Sequence, residues 1–318
     1  MTRLRPAPSR LGPWLLVVLA ACAQDPQPVT PDAGTADDAL PYRPCAPASR
    51  LGGFALRLED GFSAVEGRVL DGVVPGNVRE ITGSEGACVL LEGRNFSCDP
   101  PCASGQTCGA DGCIPYPRAR SVGVVTVRGL KDPLTLEPSR VGSYSSAGQA
   151  LSHPAFLEDA PLSLEAGGAE LPGFTLQARG VAALEAPEDA VALERGQPVR
   201  LRWVPGGGAS ARIKAVLDLA HHGGIAASVE CDGLEDSGAF DVPAALVARL
   251  LDLGLAGFPA VTLTRQTATS LELGPGCVEL DALSEVARPI AVPGLLSCTQ
   301  DEDCPGSARC RFDLTCGE

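Results

Sequence analysis

Thirteen cysteines constrain this chain more than any other feature, because of where they fall. Cys98, Cys102, Cys108 and Cys113 lie in SCDPPCASGQTCGADGC. Cys298, Cys304, Cys310 and Cys316 lie in CTQDEDCPGSARCRFDLTC, with five residues in every gap. Cys45, Cys88, Cys231 and Cys277 stand singly, and Cys22 sits near the start. Both clusters are rich in Gly and Pro and poor in apolar residues. Each is far shorter than the roughly 40 residues at which an apolar core alone can fold a chain. They need cross-links or metal to hold a shape.

The cysteine chemistry follows from compartment and spacing. Structural zinc sites pair cysteines two to four apart, often with histidine. Here the gaps are three, five and four in the first cluster and five throughout in the second, and His153, His221 and His222 lie far away in sequence. No Cys-x-x-Cys redox pair occurs. The reading is disulfides, with no metal and no cofactor. Asp301-Glu302-Asp303 raises calcium, but a calcium loop spreads six or more oxygens over a dozen residues around a fixed Gly. Three adjacent acids read as a solvated turn.

Between the clusters the pattern is β. FALRLED, AVEGRVL, GACVLLEG, SVGVVTVRGL, PLSLEA, GFTLQARG and PVRLRWV alternate apolar and polar residues between Gly, Pro and Asp turns. Short strands at regular spacing predict a mainly β chain, an antiparallel β-sandwich. In PVRLRWV, Val199, Leu201 and Trp203 share one face, and Arg200 and Arg202 the other, a strand with one wet side. DVPAALVARLLDLG breaks the alternation: Pro243 suits a first helical turn, Leu246, Leu250 and Leu253 recur at helical spacing, and Gly254 suits the stop. This predicts one short helix. A Cys231–Cys277 bridge would close the helical excursion, and Cys45–Cys88 would pin the first β region.

Other motifs carry little chemistry. Gly206-Gly207-Gly208-Ala209-Ser210-Ala211 formally matches a dinucleotide-binding loop, but the strand before it alternates with Arg and Pro205 intervenes, so a hairpin loop is expected. His221-His222-Gly223-Gly224 lacks the Gly-x-Ser-x-Gly elbow that an esterase oxyanion loop accompanies. Asn95-Phe96-Ser97 spells a glycosylation acceptor. The net charge of −14 argues against nucleic acid as partner, since a basic stripe supplies most of that affinity.

The start of the chain assigns a place. MTRLRPAPSR holds three arginines and no acid, and LGPWLLVVLAA is apolar but only eleven residues long. A spanning helix needs roughly 20; eleven suits the h-region of a secretory signal. The segment closes on Leu19-Ala20-Ala21-Cys22. This resembles a bacterial lipoprotein precursor, whose lipobox is Leu-small-small-Cys. The resemblance implies diacylglycerol on the Cys22 sulfur, cleavage before it, and a protein anchored to a membrane by acyl chains worth ~0.8 kcal/mol per buried methylene. Ala23, in place of an Asp, points to the outer membrane of a bacterial envelope. Residues 23–44, with five prolines and four aspartates, read as a disordered tether reaching at most ~75 Å.

The terminal cluster resembles a four-cysteine repeat, Cys-x5-Asp/Glu-Cys-x-x-Gly-x-x-Cys, distantly like EGF or Dickkopf cysteine-rich modules. That resemblance implies a fold style rather than an activity. With it goes a preference for first-to-third and second-to-fourth pairing in each cluster, although four cysteines allow three connectivities. LERGQPVRLRWVPG is loosely similar to an early strand pair of an immunoglobulin or fibronectin-type sandwich.

The expected organisation is a signal peptide (1–21), a lipid anchor and tether (22–44), a small β region (45–97), a cysteine module (98–117), a sandwich region (118–296, with a possible split near 187) and a terminal cysteine module (297–318). The expected role is non-enzymatic: binding of a protein or carbohydrate, adhesion, or envelope structure. A secreted hydrolase with a dispersed site and a protease inhibitor are the alternatives.

Overall fold

The computed structural model describes residues 40–93, 97–206, 208–219 and 227–317. The leader, Cys22, Asn95 and the 221–224 motif lie outside those residues. Among them no helix is long and apolar enough to cross a membrane.

The alternating apolar residues form strands where expected. β1 (Arg50–Leu58) turns into β2 (Ser63–Leu70); β3 (Glu80–Glu85) and β4 (Cys88–Glu92) form the next hairpin. β5 (Gln106–Gly109) and β6 (Gly112–Pro115) lie in the first cysteine cluster. Then follow β7 (Ala119–Arg120), β8 (Val125–Arg128), β9 (Leu134–Leu136), β10 (Ser143–Ser145), β11 (Pro161–Ala166) and β12 (Phe174–Arg179). β13 (Val191–Ala192), β14 (Val199–Arg202), β15 (Arg212–Asp218), β16 (Ala227–Leu234) and β17 (Ala239–Val242) lead to α1 (Ala244–Asp252). Two long strands, β18 (Ala260–Leu273) and β19 (Gly276–Ala291), precede β20 (Arg309–Cys310) and β21 (Cys316–Gly317) of the terminal module.

One 11-stranded sheet, in the order β10-β2-β1-β19-β18-β15-β16-β4-β3, with β7 beside β2 and β13 beside β19, is the backbone of the molecule. Most pairs are antiparallel. β1 and β13 instead run parallel to β19. Strands from the expected small β region and from the expected sandwich region thus interleave in one sheet.

Strand parity explains the layering. Even-numbered β19 residues Val278, Leu280 and Ala282 face one buried cluster, and Ile290 a second. A strand presents alternate residues to one face, so both clusters lie on the same side of the sheet. The first is closed by a four-stranded sheet, β12-β11-β8-β9, with Leu164 and Val127 at its centre. The second is closed by the β14–β17 pair and α1, with Val199, Leu201, Trp203, Leu246 and Leu250 buried. The fold is therefore a mainly β sandwich with one short α-helix among the described residues. α1 follows Pro243 and stops before Gly254, whose φ of +107° suits a glycine. The opposite face of the large sheet carries ion pairs: Arg57–Glu66, Lys214–Glu230 and Arg79–Glu230.

Gly67 shows how a small residue fits this core. It pairs with Phe54 on one side and Tyr144 on the other. A side-chain carbon there would stand 2.2 Å from the Phe54 ring. With none, the two rings meet across the strand at 5.3 Å between centroids. The Tyr144 hydroxyl then donates to the Gly123 carbonyl and accepts from the Val122 N–H.

Six disulfides tie the fold. Within the clusters they are Cys98–Cys108, Cys102–Cys113, Cys298–Cys310 and Cys304–Cys316, first-to-third and second-to-fourth. The single cysteines correct the expectation: the bridges are Cys45–Cys277 and Cys88–Cys231, in place of Cys45–Cys88 and Cys231–Cys277. The cause is sheet order. β4 pairs with β16, which sets Cys88 directly opposite Cys231. β15 and β18 separate β16 from β19, so Cys231 lies three strands from Cys277. Cys277 instead opens the parallel β1–β19 ladder, just downstream of Cys45 in space.

Candidate functional site

The predicted site residues divide cleanly. Cys22 lies outside the described residues. The twelve other cysteines are all in disulfides. The sulfurs of Cys98, Cys102 and Cys113, and of Cys298, Cys304 and Cys316, lie within 4.8 Å of one another. A metal would need them as thiolates, and in the disulfide each is bonded to sulfur. The Asp301–Asp303 acids form a 3-10 turn. Asp301 accepts from the Cys310 N–H, and Asp303 from the Thr299 N–H and hydroxyl. These bonds, the backbone one foremost, hold the Asp303 carboxyl below its ordinary range.

Gly206 opens no phosphate loop. β14 before it belongs to the covering layer and β15 after it is a strand of the large sheet. The expected hairpin is corrected to a crossing between layers. The Gly206 N–H donates to Asp236. Ser63 and His153, a pair the sequence reading did not connect, stand 2.9 Å apart. The Ser63 hydroxyl also accepts from the Ala155 N–H, so it fastens the loop before β11 to β2. Among the described residues no carboxylate bonds the other ring nitrogen of His153, and a triad needs that third group to orient the base.

Three buried polar assemblies are structural. The Arg265 side chain, 2 % exposed, makes a fork to Asp236 at 2.7 and 3.2 Å. Its remaining N–H groups reach the carbonyls of Val204 (2.5 Å), Ala183 (2.8 Å) and, more weakly, Ala182. Asp236 also accepts from the Trp203 indole at 2.7 Å. Val181 belongs to the first core and Leu184 to the second, so this clasp sits where the chain crosses between them. Close to it in sequence is the split expected near 187.

On the wet face, Tyr42 donates to Asp232 at 2.6 Å and accepts from Gln266. Burial, then the Asp232 charge, pushes its phenol well above the ordinary value. The Arg43 N–H donates to the Ala268 carbonyl. The end of the expected tether, 40–44, is therefore laid on the sheet. Beside it Glu279 accepts from the Cys45 N–H and pairs with Arg50. Asp281, two residues on and 4.0 Å from Arg50, has its carboxyl raised, first by burial and then by the Glu279 charge.

The remaining candidate is a cleft of about 520 Å³ between β2, β7 and the 138–142 turn. Its frame is tightly bonded. β7 pairs with the end of β2 and β10 with its middle. Asp71 accepts from the Arg118 N–H at 2.8 Å and from Arg120, and Glu170 accepts from Arg120 and the Ser121 N–H. Those backbone bonds hold both carboxyls below their ordinary values. On the turn, Ser139 bonds Ser143, and Gly142, at φ +71°, packs against Ala119, where a side-chain carbon would stand 2.9 Å away. Three arginines line the cleft: Arg68, Arg118 and Arg140. Sequence reasoning missed them. They lie on three elements, 50 and 22 residues apart, and no local motif joins them.

No protein-family model matches this chain, and no curated protein does. A solved structure of the FN1–FN3 domains of chicken CNTN1 superposes at a TM-score of 0.19 and 7 % identity, over 73 % of this chain and 68 % of that one. So slight an overlap carries no argument.

Proposed function

We propose that this chain is a non-enzymatic lipoprotein of a bacterial cell envelope, anchored through Cys22 to the outer membrane and binding a ligand with its folded part. The observation that carries the reading is the cysteine balance. Twelve cysteines are joined in six bridges, as in exported proteins kept in an oxidising compartment. The thirteenth, Cys22, is the one in the lipobox. The tether, leading to the bonds that Tyr42 and Arg43 make with the sheet, would hold the sandwich off the membrane.

The test is metabolic labelling with a radioactive fatty acid in a bacterial host. The wild-type chain takes up label and Cys22→Ala does not. Equal labelling of both would remove the anchor from the proposal.

A further inference from the structure

We propose that the cleft lined by Arg68, Arg118 and Arg140 binds a small ligand carrying two or more oxyanion groups, phosphate or carboxylate. The inference goes beyond the anchor and needs only the folded part.

Charge singles out this cleft. The protein is acidic, with a pI near 4.7, and most of its arginines with side-chain bonds are paired with acids. Here the pairing stops short. Glu170 lines the cleft and Asp71 lies beside it, and both are held by Arg120 and by the backbone N–H groups of Arg118 and Ser121. Among the described residues, no hydrogen bond or ion pair occupies the guanidinium of Arg68, Arg118 or Arg140. Three guanidinium groups without a bonded partner thus face one concavity whose one lining acid, Glu170, is taken up by Arg120 and the Ser121 N–H, in a protein whose net charge is negative. Like charges held together repel, and an anion between them removes that repulsion.

Geometry agrees. Guanidinium presents its N–H groups as a planar fork matched to carboxylate and phosphate oxygens. Arg68 is carried by β2, Arg118 leads into β7, and Arg140 sits on the tip of a hydrogen-bonded turn, so the three backbones are fixed while the heads stay free. Fixed backbones reduce the ordering cost of binding. A volume near 520 Å³ lies within the range of small-molecule sites. The ring of Tyr116, about half exposed, and Val141, 75 % exposed, add an apolar wall. A ligand with a compact, partly apolar frame between its anionic groups would use both features.

The experiment is isothermal titration calorimetry on the full chain with disulfides intact. The probes are inorganic pyrophosphate for phosphate and digalacturonate for carboxylate, with neutral cellobiose as control. At least one anion binds, more weakly as salt rises, and cellobiose does not. Arg68→Ser, Arg118→Ser and Arg140→Ser each weaken binding about tenfold or more, the size of one charged hydrogen-bond pair lost. Arg202→Ser, an exposed arginine on β14 outside the cleft, leaves affinity unchanged. Because all four positions are exposed, the variants fold, and thermal melting checks this. Absence of binding to both anions at millimolar concentration would overturn the proposal. So would equal weakening by Arg202→Ser, which would mark a diffuse surface effect. Loss of fatty-acid labelling in the earlier test leaves this result untouched.

Discussion

Replacing Arg265 by Met should cost the protein a large part of its stability, and the structure sets the size. The change removes the charge that neutralises Asp236 while nearly filling the volume. Asp236 then stays buried, its side chain 6 % exposed, with the Trp203 indole and the Gly206 N–H as its partners among the described residues. Breaking one side of a buried ion pair costs about 3–5 kcal/mol. The carbonyls of Val204 and Ala183 also lose their donor, each worth about 1 kcal/mol or more if water does not replace it. A loss of about 5 kcal/mol is comparable to the whole stability of many domains, about 5–15 kcal/mol. The assay is urea unfolding followed by Trp203 fluorescence; the other tryptophan, Trp14, lies in the leader. The Arg265→Met, Asp236→Leu double variant should recover part of the loss, because the stranded charge is gone. A shift below about 1 kcal/mol for Arg265→Met would refute the idea that the clasp holds the crossing between the cores.

Two further outcomes follow from the wet face and the bridges. Asp281 binds its proton more tightly folded than unfolded, so its contribution is full below the unfolded carboxyl value of about 3.9 and is lost as pH rises through the raised native value. Asp281→Asn should therefore stabilise at pH 7 and lose its advantage near pH 3.5 in pH-dependent urea titrations; a pH-independent difference would contradict this. Removing the Cys45–Cys277 bridge as a double Ala variant reopens a loop that the Cys88–Cys231 bridge shortens to roughly ninety residues, a loss of about 4–5 kcal/mol in the chain-entropy treatment. The same change at Cys304 and Cys316, twelve residues apart, should cost less, about 3 kcal/mol in the same treatment; equal shifts would show that loop length is not the cause.

What could be read from the sequence was whatever depends on near neighbours. Period-two alternation located the strands, and the wet and dry faces of Val199–Trp203 appeared as expected. Pro243 and Gly254 bracketed the helix. Pairing inside the cysteine clusters, where partners lie 10 to 12 residues apart, matched the preference drawn from the resemblance. Everything set by strand order escaped. Alternation tells which face a residue takes but not which strand lies beside it, so the parallel meeting of β1 with β19 left no local trace. The two wrong bridges and the crossing at Gly206 share that cause. The arginine cleft was hidden for the same reason, since its members come together only when β10 and β7 flank β2.

The bridge at Cys45 also decides how the molecule answers a pull. Tension arriving along the chain from residues upstream of Cys45 does not have to travel through β1. It crosses the Cys45–Cys277 bond into β19, the strand with the longest ladders in the molecule. β1 lies parallel to β19 and β18 antiparallel along almost its full length. A load along the strand axis must therefore shear many hydrogen bonds together, whereas a load at a free sheet edge would open them one by one. The chain enters its fold at a mechanically braced point, close to the middle of the sheet.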